Sequence, residues 1–239
     1  MQMKSREYSL FSRLLDLIAP RTCRCCGCRL AFTETFLCAS CDIQLPRTGF
    51  ADRPDDNAMA KLFYGRVPLE RAASMAFYRS HDNYSKMVYR LKYGRQPEIG
   101  REMGRFMAEE MTAKGFFDGI TALVPVPLAP KRQRQRGYNQ SYEMALGIAQ
   151  VTHLPILKGV LQRTKFERSQ TVLTHQERAD NVKDVFKVEN ASLLSGQHVL
   201  LVDDIVTTGA TMTACATKLK QAADVQISCI SWGFAPLKF

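Results

Sequence analysis

The chain has 239 residues, 46% of them hydrophobic and 23% charged, with a formal net charge of +10. Such apolar content is ample for a core and excludes a disordered chain, and no run of about eighteen apolar residues is present to form a spanning helix. The N-terminus reads without the apolar core and cleavage site of a leader, so a cytoplasmic protein is expected, and the cationic excess suits anionic partners, phosphate esters or nucleic acid alike.

In chain order, residues 8–18 place Leu10, Phe11, Leu14, Leu15, Leu17 and Ile18 on a broad apolar helical face that ends at Pro20. Next comes Cys23-Arg24-Cys25-Cys26-Gly27-Cys28, and after an interval Cys38-Ala39-Ser40-Cys41, so that six of the eight cysteines crowd into this stretch. In a reducing compartment that density points to metal, and two thiolate pairs brought together make a closed, structural tetrahedral zinc site. Two readings of the first pair stay open, since Cys23 with Cys26 and Cys25 with Cys28 are equally spaced. The glycine after Cys26 eases a tight knuckle and favours Cys23 and Cys26, with Cys38 and Cys41 as the second pair.

Residues 47–60 carry Pro54 among acids and few large apolar side chains, which reads as a linker. A first strand is expected over 72–78 and a helix over 83–93 with Met87, Val88 and Leu91 inward. Pro97 opens a further helix to Met111 whose methionines are ordinary core packing. Residues 121–127 form a strand ending in prolines, followed by Lys131-Arg132-Gln133-Arg134-Gln135-Arg136-Gly137. Four cations in six residues, placed in a loop just past a strand's carboxyl end, suit a pyrophosphate, and Gly137 lets the backbone approach it. A helix over 141–151, a strand over 156–161, a polar stretch over 163–183 with a helix-like part at 174–182, and a last strand over 225–232 complete the pattern.

The most informative stretch is Val199 to Thr211. Four unbroken apolar residues, Val199 to Val202, read as a strand covered on both faces, the habit of a parallel sheet. Asp203 and Asp204 then fall at its carboxyl end, where ligands bind in open α/β sheets. Thr207, Thr208, Gly209, Ala210 and Thr211 make a hydroxyl-rich turn leading into a helix, so a phosphate would meet free N–H groups and the positive end of the helix dipole. Twin carboxylates beside a phosphate cradle fit ribose 5-phosphate, the acids accepting from the 2- and 3-hydroxyls. Neither the Gly-Lys-Ser/Thr of a P-loop nor the three spaced glycines of a dinucleotide fold is present.

Leu201 to Thr211 resembles the phosphoribosyl pyrophosphate (PRPP) signature of type I phosphoribosyltransferases. From the cysteine cluster through Val124-Pro125-Val126-Pro127 and Arg136-Gly137-Tyr138-Asn139-Gln140 to that signature, the chain resembles the ComF (ComFC/GntX-like) competence-associated family. The resemblance implies an α/β fold, an open, mostly parallel sheet flanked by helices, with a small N-terminal four-cysteine zinc module, divided as module 1–46, linker 47–70 and transferase-like domain 71–239. It implies Asp203 and Asp204 as the catalytic diol acids, Thr207 to Thr211 on the 5-phosphate, and Lys131, Arg132, Arg134, Arg136 and Gly137 on pyrophosphate. The same likeness makes Cys23, Cys26, Cys38 and Cys41 the zinc ligands, Mg²⁺ the companion of PRPP, and Arg163, Thr164, Gln170, Arg178 and Asn181 a hood loop. Tyr138 stands where the family often has phenylalanine. Thr207 occupies the place of the aspartate that purine-salvage transferases use on the base proton, which leaves the acceptor unassigned. Three functions are therefore expected in order: phosphoribosyl transfer to an unidentified acceptor in nucleotide or DNA metabolism; non-catalytic PRPP and single-stranded DNA binding in DNA uptake and natural transformation; and an adaptor whose zinc module docks a partner such as a competence helicase.

Overall fold

The computed structural model describes residues 20–80, 82–164 and 185–236. The expected helix at 8–18 and the helix-like part at 174–182 lie outside the described residues. Four strands, β1 (Arg71–Phe77), β2 (Ala122–Pro125), β5 (His198–Val206) and β6 (Gln226–Phe234), form one parallel sheet in the order β1-β6-β5-β2. Two short strands, β3 (Leu161–Arg163) and β4 (Phe186–Val188), pair antiparallel apart from it. Val199, Leu200, Leu201 and Val202 are each 0% exposed, which is why this stretch shows no polar alternation. The expected strand at 156–161 is reduced to a single bridge between Ile156 and Leu123, because Gly159, at φ +82, breaks the run before β3.

The helices are α1 (Ala39–Gln44), α2 (Asn83–Tyr93), α3 (Pro97–Thr112), α4 (Pro130–Arg136), α5 (Gln140–Thr152) and α6 (Ala210–Ala222). Pro97 opens α3 at its first position, where a missing N–H costs nothing, and Met103, Met107 and Met111 bury its inner face. α3 and α5 cross at backbone distance. A Cβ on Gly104 would lie 2.0 Å from the Met144 carbonyl oxygen, and one on Gly147 2.0 Å from that of Arg101. Only glycine permits this approach, and it sets the position from which the N-terminus of α5 reaches the sheet. Arg101 Nε and the buried Glu143 carboxylate, 2.6 Å apart, brace the same crossing.

Residues 47–70, expected to be a linker, pack into the core instead. Two 3-10 turns (Phe50–Asp52 and Ala60–Phe63) bury Phe50, Ala51, Ala60 and Phe63, Met59 is buried beside them, and Asn57 ties the segment to β1 by donating to the Ala72 carbonyl. Few large apolar residues suffice because Phe50, Met59, Phe63 and Val67 are all buried. The cysteine segment is docked as firmly: Phe36 packs edge-on against Trp232, and Arg24 grips Glu102 of α3 through two hydrogen bonds of 2.7 and 2.8 Å. Among the described residues no helix is long and apolar enough to cross a membrane.

Candidate functional site

β5 carries the two acids. It stays paired with β6 as far as Val206, whereas β2 leaves it after Val202, so Asp203 and Asp204 lie inside the strand on one side and past its pairing on the other. This differs from the expected strand end at Val202 and holds both carboxylates on a rigid element. Asp203 Oδ1 accepts from Ser141 Oγ at 2.9 Å and from the Asp204 N–H at 2.8 Å. Ser141 is delivered by α5, whose N-cap Asn139 accepts from the Ser141 N–H and donates to the Val126 carbonyl at the end of β2. Burial first and the adjacent Asp204 second push the Asp203 carboxyl up to about 7, against the pull of its hydrogen bonds and of Lys92. Asp204 is buried and paired with Lys92 of α2, Nζ to Oδ1 3.0 Å.

Beyond β5 the turn places Thr207, Thr208, Ala210 and Thr211 at the surface while Gly209 is buried. Gly209 caps α6 at φ +72, a conformation costly for any side-chain-bearing residue, and leaves the first N–H groups of the helix unpaired within it. The turn is supported from below by the segment that precedes β1. Phe63 lies against Gly209, and Arg66 Nη1 donates to the Thr208 carbonyl at 3.0 Å. In a trans peptide the carbonyl and the next N–H point oppositely, so pinning the Thr208 oxygen directs the Gly209 N–H the other way.

The basic run forms a helix rather than a loop. Pro130 presets the first turn, Lys, Arg and Gln are good helix formers, and Gly137 ends α4 at φ +84. Arg132 and Arg136 line a cavity of about 530 Å³ with Gln135, Lys92, Tyr93 and Arg95. Lys131, Arg134 and Gly137 do not line it. Arg136 also lies over the Tyr93 ring and donates to the buried Gln140 Oε1. Sequence reading missed Lys92 and Arg95; its signal was the pair of cations around Tyr93-Gly94 at a helix end, passed over because only the apolar face of α2 was followed.

In the cysteine segment, Gly27 at φ +78 turns the chain back, with the Gly27 N–H on the Cys23 carbonyl and the Cys23 N–H on that of Cys28. This folds Cys28 beside Cys26. The thiols of Cys23, Cys26, Cys28 and Cys38 all lie within 4.8 Å of one another, with Cys26 and Cys38 3.8 Å apart. Tetrahedral Zn²⁺ with bonds of about 2.3 Å separates its sulfurs by about 3.8 Å, so these soft donors can hold such an ion. Cys41 borders the group, and the four thiols that lie mutually close include Cys28 where the sequence reading has Cys41. Of the hood residues, Arg163 lies over Phe186 and Thr164 bonds Val185; Gln170, Arg178 and Asn181 lie outside the described residues.

Residues 139–232 match the family model "Phosphoribosyl transferase domain", which covers the start of α5 through most of β6. The DNA utilization protein YhgH of Escherichia coli K12 is 26% identical over 226 residues, 90% of this chain and 98% of that protein. Competence protein ComFC of Bacillus subtilis is 24% identical over 221 residues, 89% and 85% of the two chains. Competence protein F of Haemophilus influenzae is 31% identical over 155 residues, 63% and 67% of the two. With acids, threonine turn and cysteine cluster built around one parallel sheet, and with these relatives, the chain belongs to the ComF family, whose type I phosphoribosyltransferase fold it carries.

Proposed function

We propose that the protein binds PRPP at the carboxyl end of β5 and, with Mg²⁺, transfers its phosphoribosyl group to an acceptor in nucleotide or DNA metabolism. The observation that carries this reading is the succession, within one strand and one turn, of two fixed carboxylates and an exposed threonine cradle at the start of α6. Asp203 and Asp204 accept from the ribose hydroxyls, and the turn from Thr207 to Thr211 holds the 5-phosphate. Arg132 and Arg136 neutralise the pyrophosphate. In the reaction the C1–O bond breaks, the electron pair leaves with pyrophosphate, and the acceptor bonds to C1 and loses its proton. Positive charge grows on the sugar meanwhile, so fixed acids beneath it stabilise that state. The carboxylate oxygens suit a hard cation, and Mg²⁺ when bound supplies charge neutralisation for the leaving group. Four thiolates of the N-terminal segment hold a structural Zn²⁺.

The decisive measurement is calorimetry with PRPP and Mg²⁺ on the wild type and on Asp203→Asn with Asp204→Asn. Losing two charge-assisted hydrogen-bonding sites is expected to weaken binding by more than about a hundredfold. Equal affinity in the double variant would overturn the assignment. A screen for pyrophosphate release across bases, amines and DNA ends would then identify the acceptor.

A second reading, single-stranded DNA binding, is favoured by one feature. Tyr89 and Tyr93, 65% and 63% exposed, lie side by side on α2 with ring centroids 4.9 Å apart and the rings tilted by 45°, beside Lys86 and Arg90. Exposed rings among cations are what unpaired bases stack on. Tyr89→Ala with Tyr93→Ala should reduce salt-sensitive binding of an oligonucleotide; unaltered binding would dismiss this surface.

A further inference from the structure

Lys92 touches both halves of the site. Its ammonium sits 3.0 Å from Asp204 Oδ1, with the two side chains only 22% and 13% exposed, and the same residue lines the cavity of Arg95, Arg132 and Arg136. A half-buried lysine with a single carboxylate partner would be satisfied by that pair alone, yet its surroundings are arranged around the cavity. α2 ends at Gly94, where a Cβ would meet the Arg90 carbonyl at 2.7 Å, and Arg95 adopts φ +54, a left-handed conformation unusual for a long side chain. That turn brings Arg95 to the cavity that Lys92 enters from the preceding turn. The Tyr138 hydroxyl donates to the Leu91 carbonyl at 2.5 Å, tying the last turn of α2 to the residue after Gly137. The cavity thus joins two cation-bearing segments. Among the described residues no acid lines it, and Lys92 is the lining residue that also contacts one of the paired acids.

We infer that Lys92 is the chain's own bridge between ribose and pyrophosphate: it neutralises Asp204 before ligand arrives and, with PRPP bound, shares its charge between Asp204 and a pyrophosphate oxygen. This rests on the PRPP reading above and deepens it. A divalent cation placed between diol and pyrophosphate supplies the same kind of charge, so Lys92 lessens the dependence of PRPP affinity on the metal. A lysine that merely compensated Asp204 for folding would not act selectively on pyrophosphate or on the metal dependence.

The test titrates the full chain by calorimetry with PRPP, inorganic pyrophosphate and ribose 5-phosphate, each with Mg²⁺ and with EDTA, comparing wild type with Lys92→Met and Lys92→Arg. Lys92→Met is expected to weaken PRPP and pyrophosphate by about tenfold or more, leave ribose 5-phosphate within about threefold, and make EDTA more damaging; Lys92→Arg should restore most of the loss. Wild-type binding of PRPP together with an unchanged Lys92→Met affinity and metal dependence overturns this inference alone. Equal loss of all three ligands in Lys92→Met, unrestored by Lys92→Arg, assigns a structural role and overturns it too. A wild type that binds neither PRPP nor ribose 5-phosphate overturns the PRPP reading and the inference with it.

Discussion

A Cβ placed on Gly209 would stand 3.1 Å from Cε1 of Phe63, so the turn that opens α6 is seated directly on a ring from the segment preceding β1. Phe63 is 1% exposed and cannot give way freely. Gly209→Ala adds this contact to the strain of φ +72. The expected cost is about 1–3 kcal/mol of stability, read by urea denaturation, with ribose 5-phosphate affinity reduced by about tenfold or more as the cradle shifts. Wild-type stability and affinity in this variant would show that the turn tolerates rearrangement.

Asp203 gives the site a pH dependence with a definite sign. Its carboxyl is pushed up to about 7 by burial and by Asp204, so it becomes protonated as pH falls through that value. A protonated acid accepts less well from the ribose diol, and ribose 5-phosphate affinity should therefore rise between about pH 6 and pH 8 for this group. Stability runs the other way. The unfolded aspartate ionises near 3.8, so between there and about 7 the native state holds a proton the unfolded state has released, and raising the pH costs stability. Asp203→Asn should flatten both profiles, as calorimetry and thermal melts at several pH values would reveal.

The cysteine cluster makes a prediction about which thiols matter. Metal analysis of the purified chain should find about one zinc per molecule, lost in Cys23→Ser and Cys38→Ser. Because Cys28 lies in the mutual group and Cys41 at its border, Cys28→Ser should lose the ion and Cys41→Ser should keep it. The reverse pattern would restore the pairing of Cys38 with Cys41 expected from spacing.

The crossing of α3 and α5 is the most sensitive point of the fold. In Gly147→Ala the added methyl group would lie 2.0 Å from a backbone oxygen that no rotamer change can move. The helices must separate, with an expected loss of about 3 kcal/mol or more in chemical denaturation. Since α5 also carries Ser141, any folded variant should hold Asp203 less well and bind ribose 5-phosphate more weakly. A variant of unaltered stability would refute the close approach.

How much of this was legible beforehand depended on the range of the interaction. The parallel sheet, the bounds of α2, the proline start of α3 and the succession of paired acids and threonine turn could all be read from the chain. Each rests on periodicity, caps or a contiguous run, which are properties of neighbouring residues. Burial of a few large side chains was enough to turn residues 47–70 from an apparent linker into the support of the threonine turn, and composition carries no sign of that. Lys92 beside Asp204, Arg66 on the Thr208 carbonyl and Cys28 within the thiol group were decided only by tertiary structure. They depend on distances between segments far apart in the chain or on a single left-handed glycine, and a pattern of residue types specifies chemistry along the chain without specifying which segments meet.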